Sequence, residues 1–135
     1  MPGYSGTPLW KKLGIKPGFR IKTRNAPENY EQLLAPIPAD VQISTGFKSN
    51  IDLWHLFSAS DIELAKRLPA AKLQITQAGM IWVSWPKKSS GVPSTITEDT
   101  IRSVALPLGL VDVKVCAVDN IWSGLKLVIR KEQRF

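Results

Sequence analysis

Gly79-Met80-Ile81-Trp82-Val83-Ser84-Trp85 carries apolar side chains on both of its alternating faces, Met80 and Trp82 on one, Ile81, Val83 and Trp85 on the other. A strand that is apolar on both sides is covered on both sides, as the middle strand of a helix-flanked sheet is. This run therefore predicts the centre of a layered α/β structure.

Upstream, Ile51 to Phe57 is a second mostly apolar strand, and Ser60 with Glu63 forms a Ser-x-x-Glu capping box that opens a helix toward Leu73, bent at Pro69. Downstream, Thr95 with Glu98 reads as another capping box. Ile101, Val104, Ala105 and Leu108 then recur at helical spacing until Pro107 and Gly109 end the element. Val111 to Val118 and Leu125 to Arg130 are two β-rich runs separated by Asp119-Asn120-Ile121-Trp122-Ser123-Gly124, a gap that only a hairpin closes.

Nearer the start, Thr7-Pro8-Leu9 reads as an N-cap with proline at the first helical position, and Gly14 stops a short helix from Thr7 to Leu13. After the turn Lys16-Pro17-Gly18, Phe19 to Arg24 alternates strictly, with Phe19, Ile21 and Thr23 on one side and Arg20, Lys22 and Arg24 on the other. A short helix around Asn29 to Leu34 and a brief strand at Val41 to Ser44 follow. Strands alternating with helices imply right-handed crossovers and a mostly parallel sheet, while the hairpin turns the last strand antiparallel. The expectation is an open sheet of six strands in three layers, forming one α/β domain over residues 1–135.

Composition bounds the function classes. With 44% hydrophobic and 21% charged residues the chain is of ordinary globular make-up, and its apolar stretches break well before the roughly 18 residues a membrane span needs. Met1-Pro2-Gly3-Tyr4 lacks the charged-then-apolar layout of a signal peptide, so the cytoplasm is the expected compartment. Cys116, the one cysteine, cannot form an internal disulfide and suits a reducing compartment. Eighteen Lys and Arg against eleven Asp and Glu give a net charge of +7, a surface that attracts anions at long range.

Several long motifs carry a resemblance. Gly3-Tyr4-Ser5-Gly6-Thr7-Pro8-Leu9, Lys16-Pro17-Gly18 and Trp82-Val83-Ser84-Trp85-Pro86-Lys87-Lys88, together with Ala105 to Asp119 and Trp122 to Val128, resemble the bacterial domain of unknown function 3052 family. That resemblance implies no activity and transfers no catalytic residue. A more distant likeness is to methyltransferases that use S-adenosylmethionine, where a Lys-Pro-Gly turn also leads into the first strand and an antiparallel hairpin ends the fold. It implies a Rossmann-like sheet of strand order 2-1-3-4-6-5. Two features of those enzymes are absent, since the first loop is Asn25-Ala26-Pro27-Glu28 without a glycine-rich cradle, and the second is Thr45-Gly46-Phe47-Lys48 without the ribose-gripping acid. A helix and strand between the second and third strands are also gone.

Ligands on such sheets sit beyond the carboxyl ends of the strands. The loop containing Lys87, Lys88, Ser89 and Ser90 leaves the central strand and offers paired lysines and backbone N–H groups to a phosphate or carboxylate. Its spacing is not that of a nucleotide-hydrolysing P-loop. Asp119, Trp122 and Ser123 on the hairpin loop are expected on the same rim, Trp122 either stacking on a ring or packing over the sheet edge, and Asn25 either facing that cleft or simply making a turn. His55 and Cys116 lie on separated strands and read as packed core residues, and a single His with a single Cys cannot build a usual zinc site.

An alternative reading of the basic row Arg20, Lys22 and Arg24 is a groove open to nucleic acid, although no helix-turn-helix or aromatic RNA-binding signature accompanies it. The leading expectation is a non-catalytic binding module for an anionic small molecule. A divergent methyltransferase-like enzyme stands second and non-specific nucleic-acid binding third; cofactor identity and oligomeric state are open.

Overall fold

The computed structural model describes residues 6–135; Met1 to Ser5, and with them the start of the Gly3 to Leu9 motif, lie outside the described residues. Six strands form one sheet in the order β2-β1-β3-β4-β6-β5, where β1 is Arg20–Arg24, β2 Gln42–Ser44, β3 Ile51–Phe57, β4 Ile75–Pro86, β5 Leu110–Ala117 and β6 Trp122–Ile129. The β1-β2, β1-β3 and β3-β4 pairs are parallel, whereas β4-β6 and β5-β6 are antiparallel. This is the expected Rossmann-like arrangement, with the hairpin supplying the reversal.

β4 is central because both of its faces are apolar. Ile81, Val83 and Trp85 join Trp54, Leu56, Leu125 and Leu127 under helices α3 (Asp61–Gln74) and α4 (Glu98–Ala105). Met80 and Trp82 join Ile21, Leu53 and Phe57 on the opposite face, beneath α1 (Leu9–Leu13) and α2 (Tyr30–Leu34). Trp82 is wholly buried and its indole N–H donates to the Leu13 carbonyl at 3.0 Å, which ties α1 to the central strand. Gly79 begins the fully buried stretch of β4. A Cβ there would stand 3.0 Å from the Ile51 carbonyl oxygen and from two oxygens of Thr76, so any larger residue would be crowded at this point.

The second face also holds a polar chain. His55 and Ser84 are fully buried and Tyr30 nearly so; the Tyr30 hydroxyl lies 2.8 Å from His55 Nδ1, and Ser84 Oγ lies 2.7 Å from Nε2. The imidazole stacks on Phe57 at 4.2 Å. Burial holds it neutral, with its pKa pushed down to about 3. One ring nitrogen of a neutral imidazole donates and the other accepts, so both hydroxyls find complementary partners.

Four local expectations are corrected. The first helix begins at Leu9 rather than Thr7, since Pro8 holds an extended ψ of 147° and occupies the cap position itself. Thr95 does not cap α4. Thr97 does, accepting from Thr100 N–H at 3.2 Å, while Thr95 Oγ1 accepts from Asp61 N–H at 2.9 Å and so braces the start of α3. The Ser60–Glu63 box is half formed. Ser60 Oγ accepts from Glu63 N–H, but Ser58 Oγ takes the Ser60 N–H that the Glu63 carboxylate was expected to bind. Finally, Trp122 and Ser123 belong to β6 rather than to the hairpin loop, pairing with Pro86 and Trp85 of β4. α3 runs on through Pro69 to Gln74; the carbonyl released four residues earlier belongs to exposed Ala65, where water can satisfy it.

Candidate functional site

The β4 loop and the hairpin share a rim. Lys87 N–H donates to the Ile121 carbonyl at 2.8 Å, directly beyond the Pro86-Trp122 pair. Most of the polar atoms at that rim nevertheless serve the turns themselves. Asp119 Oδ1 accepts from both Ile121 N–H and Trp122 N–H at 2.8 Å, and Ser90 Oγ donates to the Lys87 carbonyl at 2.6 Å while accepting from Val92 N–H. Lys88, Ser89 and Ser90 form one 3-10 turn. The Trp122 ring stands edge-on to Phe57 at 5.1 Å, packed over the sheet, and Ser123 is held between β4 and β5.

Beside this rim, Lys88 lines a cleft of about 490 Å³ with Trp85, Thr97, Glu98, Asp99 and Arg102. Its charge is mixed. Arg102 is spent on acids, with Nε 2.9 Å from Asp112, one terminal nitrogen 3.0 Å from Glu98 and the other 3.2 Å from Asp99. Asn25 does not reach this hollow; it lines a different cleft, at the carboxyl end of β1.

That second cleft, of about 280 Å³, is bounded by Lys22, Arg24, Asn25, Thr45, Arg67 and Gln74. It exists because the chain passes from β2 to β3 through residues 45–50 with no helix between them, leaving the Arg20, Lys22, Arg24 face of β1 beside α3 without a cover of its own. The row is not an open groove along its whole length. Arg20 sits over the Phe47 ring at 3.9 Å, and Lys22 Nζ donates to the Phe47 carbonyl at 2.7 Å and to Gln74 Oε1 at 3.2 Å. Gln74 is fixed in turn by the Trp54 indole N–H at 2.9 Å.

Electrostatically the cleft is one-sided. Partial burial lowers the pKa of Lys22, and the nearby charges of Arg24, Lys48 and Arg67 lower it further. Four side-chain nitrogens or oxygens among the described residues are shielded from water without a hydrogen-bond partner, and two of them, Arg24 Nε and Arg67 Nε, line this cleft. Donors left in that condition each cost about 1–3 kcal/mol.

The single acid at its edge is already engaged. Glu63 accepts from Ser58 Oγ at 2.6 Å and from Asn25 Nδ2 at 3.1 Å, and it lies 3.7 Å from Arg24 Nε, beyond hydrogen-bond reach. These contacts, that from Ser58 foremost, hold its carboxyl below the ordinary glutamate range. Asn25 supports the arrangement from a left-handed backbone, φ 61°, while also donating to the Phe57 carbonyl at 3.1 Å. An internal carboxylate thus closes the point where β1 and β3 send their crossovers in opposite directions, the usual ligand position in such sheets.

Arg67 and Glu63 are the residues that sequence reasoning missed as site components. Both sit on α3, and nothing local distinguishes Arg67 from a solvated basic residue on a wet helix face. His55 and Cys116 stand on β3 and β5, separated by β4 and β6, and make no pair. Among the described residues, no three His, Cys, Asp or Glu side chains converge as a metal ion requires, and no helix is long and apolar enough to cross a membrane.

Comparison with known proteins adds a family and a fold. The profile of the family described as "Protein of unknown function (DUF3052)" matches residues 46–131. No curated protein matches the chain. Among solved structures, a protein of the NADB-Rossmann superfamily from Streptococcus agalactiae superposes with a TM-score of 0.55 at 8% identity, covering 94% of this chain and 70% of that one. LepI in complex with SAM gives 0.54 at 12% identity, covering 90% of this chain but only 39% of LepI. Ribosomal protein L11 methylase from Lactobacillus delbrueckii subsp. bulgaricus gives 0.48 at 12% identity over 82% of this chain and 57% of that one. The chain therefore spans about half or less of these last two proteins. At such identities the likeness is one of fold alone, a Rossmann-like sheet shared also by a putative methyltransferase from Thermoplasma acidophilum, with a TM-score of 0.54 at 8% identity over 93% of this chain and 75% of that one.

Proposed function

The chain belongs to the DUF3052 family, and we propose that it is a non-catalytic module that binds a small anion, a phosphate- or carboxylate-bearing molecule, in the cleft between the end of β1 and α3. One observation carries the reading: Arg24 and Arg67, each with a shielded Nε that makes no hydrogen bond, line one cleft together with Lys22. Arg24 stays partly exposed and has only the 3.7 Å ion pair with Glu63, so its guanidinium keeps donors to offer a planar oxyanion. Lys22 is engaged with Phe47 and Gln74, and the Glu63 carboxylate is occupied by Ser58 and Asn25 with its basicity lowered, so neither is well placed to serve as a nucleophile or general base. This site shares Asn25 with the one expected from sequence and replaces the Lys87 loop with Arg67.

The test is a thermal-shift and calorimetry panel of orthophosphate, nucleotides, phosphorylated sugars, simple carboxylates and S-adenosylmethionine. A ligand at a hundred times its Kd adds about 2.7 kcal/mol to stability, a readily visible rise in Tm. An anion should shift the wild type, lose that shift in the Arg24→Ala/Arg67→Ala double variant, and keep it in Lys87→Ala/Lys88→Ala. Loss in the lysine pair alone returns the site to the β4 rim. A shift by S-adenosylmethionine and by no simple anion supports the transferase reading in place of this one.

A further inference from the structure

A separate basic surface lies on the opposite face of the sheet, at the hairpin end. Side chains alternate along β6 so that Trp122, Gly124, Lys126 and Val128 share the face on which α1 and α2 pack, and β5 sets Lys114 and Cys116 opposite Lys126 and Gly124. Among the described residues the two helices cover β1, β3 and β4 but leave this corner open. Lys114 is exposed, and Cys116, Trp122, Lys126 and Val128 are only half-buried.

The charges here are all of one sign. Lys114 and Lys126 are direct cross-strand partners, an arrangement that disfavours the folded state when both are charged. Lys126 is held below the usual lysine range by partial burial and then by Lys114 and Lys16, while Lys114 and Lys12 act electrostatically on half-buried Cys116. Among the described residues the charges acting on these two groups are all basic. None of Lys12, Lys16, Lys114 and Lys126 forms an ion pair among the described residues, although other basic residues, such as Arg102 and Arg130, do.

We propose that this lysine face binds the phosphate backbone of a duplex nucleic acid. Four like charges drawn from α1, its following turn, β5 and β6 gather over a sheet corner with no acid to relieve them, and a polyanion is the complementary occupant. Lysines without a bidentate fork suit backbone charge rather than base edges. A single strand needs exposed aromatic rings to stack its bases, whereas on this face Trp82 is wholly buried, Trp10 and Trp122 are half-buried, and the Trp122 ring is turned against Phe57. An anionic membrane needs an apolar wedge among the basic residues, and the most exposed large apolar side chains, Phe135, Leu73 and Ile62, lie at the C-terminus and on α3, away from this corner. The surface is independent of the anion cleft.

Fluorescence anisotropy of the full chain with a labelled duplex of about 20 base pairs, titrated between 50 and 200 mM salt, tests the proposal. Release of counterions from about four phosphate contacts gives a log–log slope near −3.6, roughly a hundredfold loss over that range. Lys114→Gln/Lys126→Gln should weaken binding at least tenfold at about 50 mM salt, with the slope falling by about two. Its Tm should equal or exceed that of the wild type, because the like-charge cross-strand pair is removed. Lys12→Glu/Lys16→Glu, which leaves the strands untouched, should weaken binding similarly, and Arg24→Ala/Arg67→Ala should leave it unchanged. The proposal is overturned by absence of binding at the lowest salt, by undiminished binding in both lysine variants, or by preference for single strands or for vesicles containing phosphatidylserine.

Discussion

Two polar networks touch β3, and they are built on opposite terms. Tyr30, His55 and Ser84 form a sealed chain in which every polar atom is neutral, dry and paired. At the end of the same strand, Asn25, Ser58, Glu63, Arg24 and Arg67 form an open one, charged, partly wet and short of acceptors. Buried polar groups that are fully satisfied specify a core, whereas groups left wanting at a sheet's ligand edge point to something that arrives from outside. A Ser–His contact of 2.7 Å, which in an exposed setting would suggest catalysis, here belongs to the architecture.

The largest effect expected from this contrast is on the sealed side. His55→Ala removes a buried ring and orphans two hydroxyls, so urea denaturation should show a loss of about 4 kcal/mol; less than about 1 kcal/mol would mean that water enters the network and that it is not sealed.

Acid should act through the same group. The native imidazole refuses a proton that the unfolded chain takes up below its ordinary pKa of 6.5, so its contribution is complete above that pH and is lost progressively toward about pH 3. The slope approaches about 1.4 kcal/mol per pH unit. Between pH 6.5 and the glutamate range near 4.5 the carboxylates hardly titrate, which isolates the histidine. Denaturation curves of wild type and His55→Leu should converge in slope if another group is responsible.

The open side should behave in the reverse way, with little change in stability and more in binding. Glu63→Gln keeps the shape of the side chain but withdraws the negative charge beside Arg24, at a stability cost of about 1 kcal/mol or less. Calorimetry should then find the cleft's anion bound about three- to tenfold more tightly. Weaker binding would place Glu63 among the groups that hold the ligand and end the contrast.

The sheet was largely readable because its signals are periodic. Alternation in Phe19 to Arg24, two-faced apolarity in Gly79 to Trp85, and a short gap between two β-rich runs each report local geometry, and the strand order followed by analogy with a known sheet. The misreadings came where distant contacts choose between equal local options. Thr95 and Thr97 are both plausible caps, and the docking of Thr95 on Asp61 decides for Thr97. Gly124 reads locally as the end of the hairpin loop, yet it lies inside β6, paired with Ser84 and Cys116, and the Trp82 ring and Val118, 3.1 and 3.2 Å from where a Cβ would be, crowd any larger residue there. The cleft was legible only as a row on β1. Arg67 is forty residues along, and only the crossovers that set α3 beside the end of β1 bring it there.

The brevity of β2 bears on how the cleft behaves in time. Three residues at the sheet margin, pairing on one side only, are the part of a sheet whose amides exchange earliest, while the amides of β4 should be among the last. Thr45 hangs directly from that margin and Arg67 from a helix anchored over the core, so the two walls of the hollow differ in rigidity. A guest spanning them would register first as slowed deuterium uptake at Gln42 to Ser44, far sooner than as any change in the middle of the molecule.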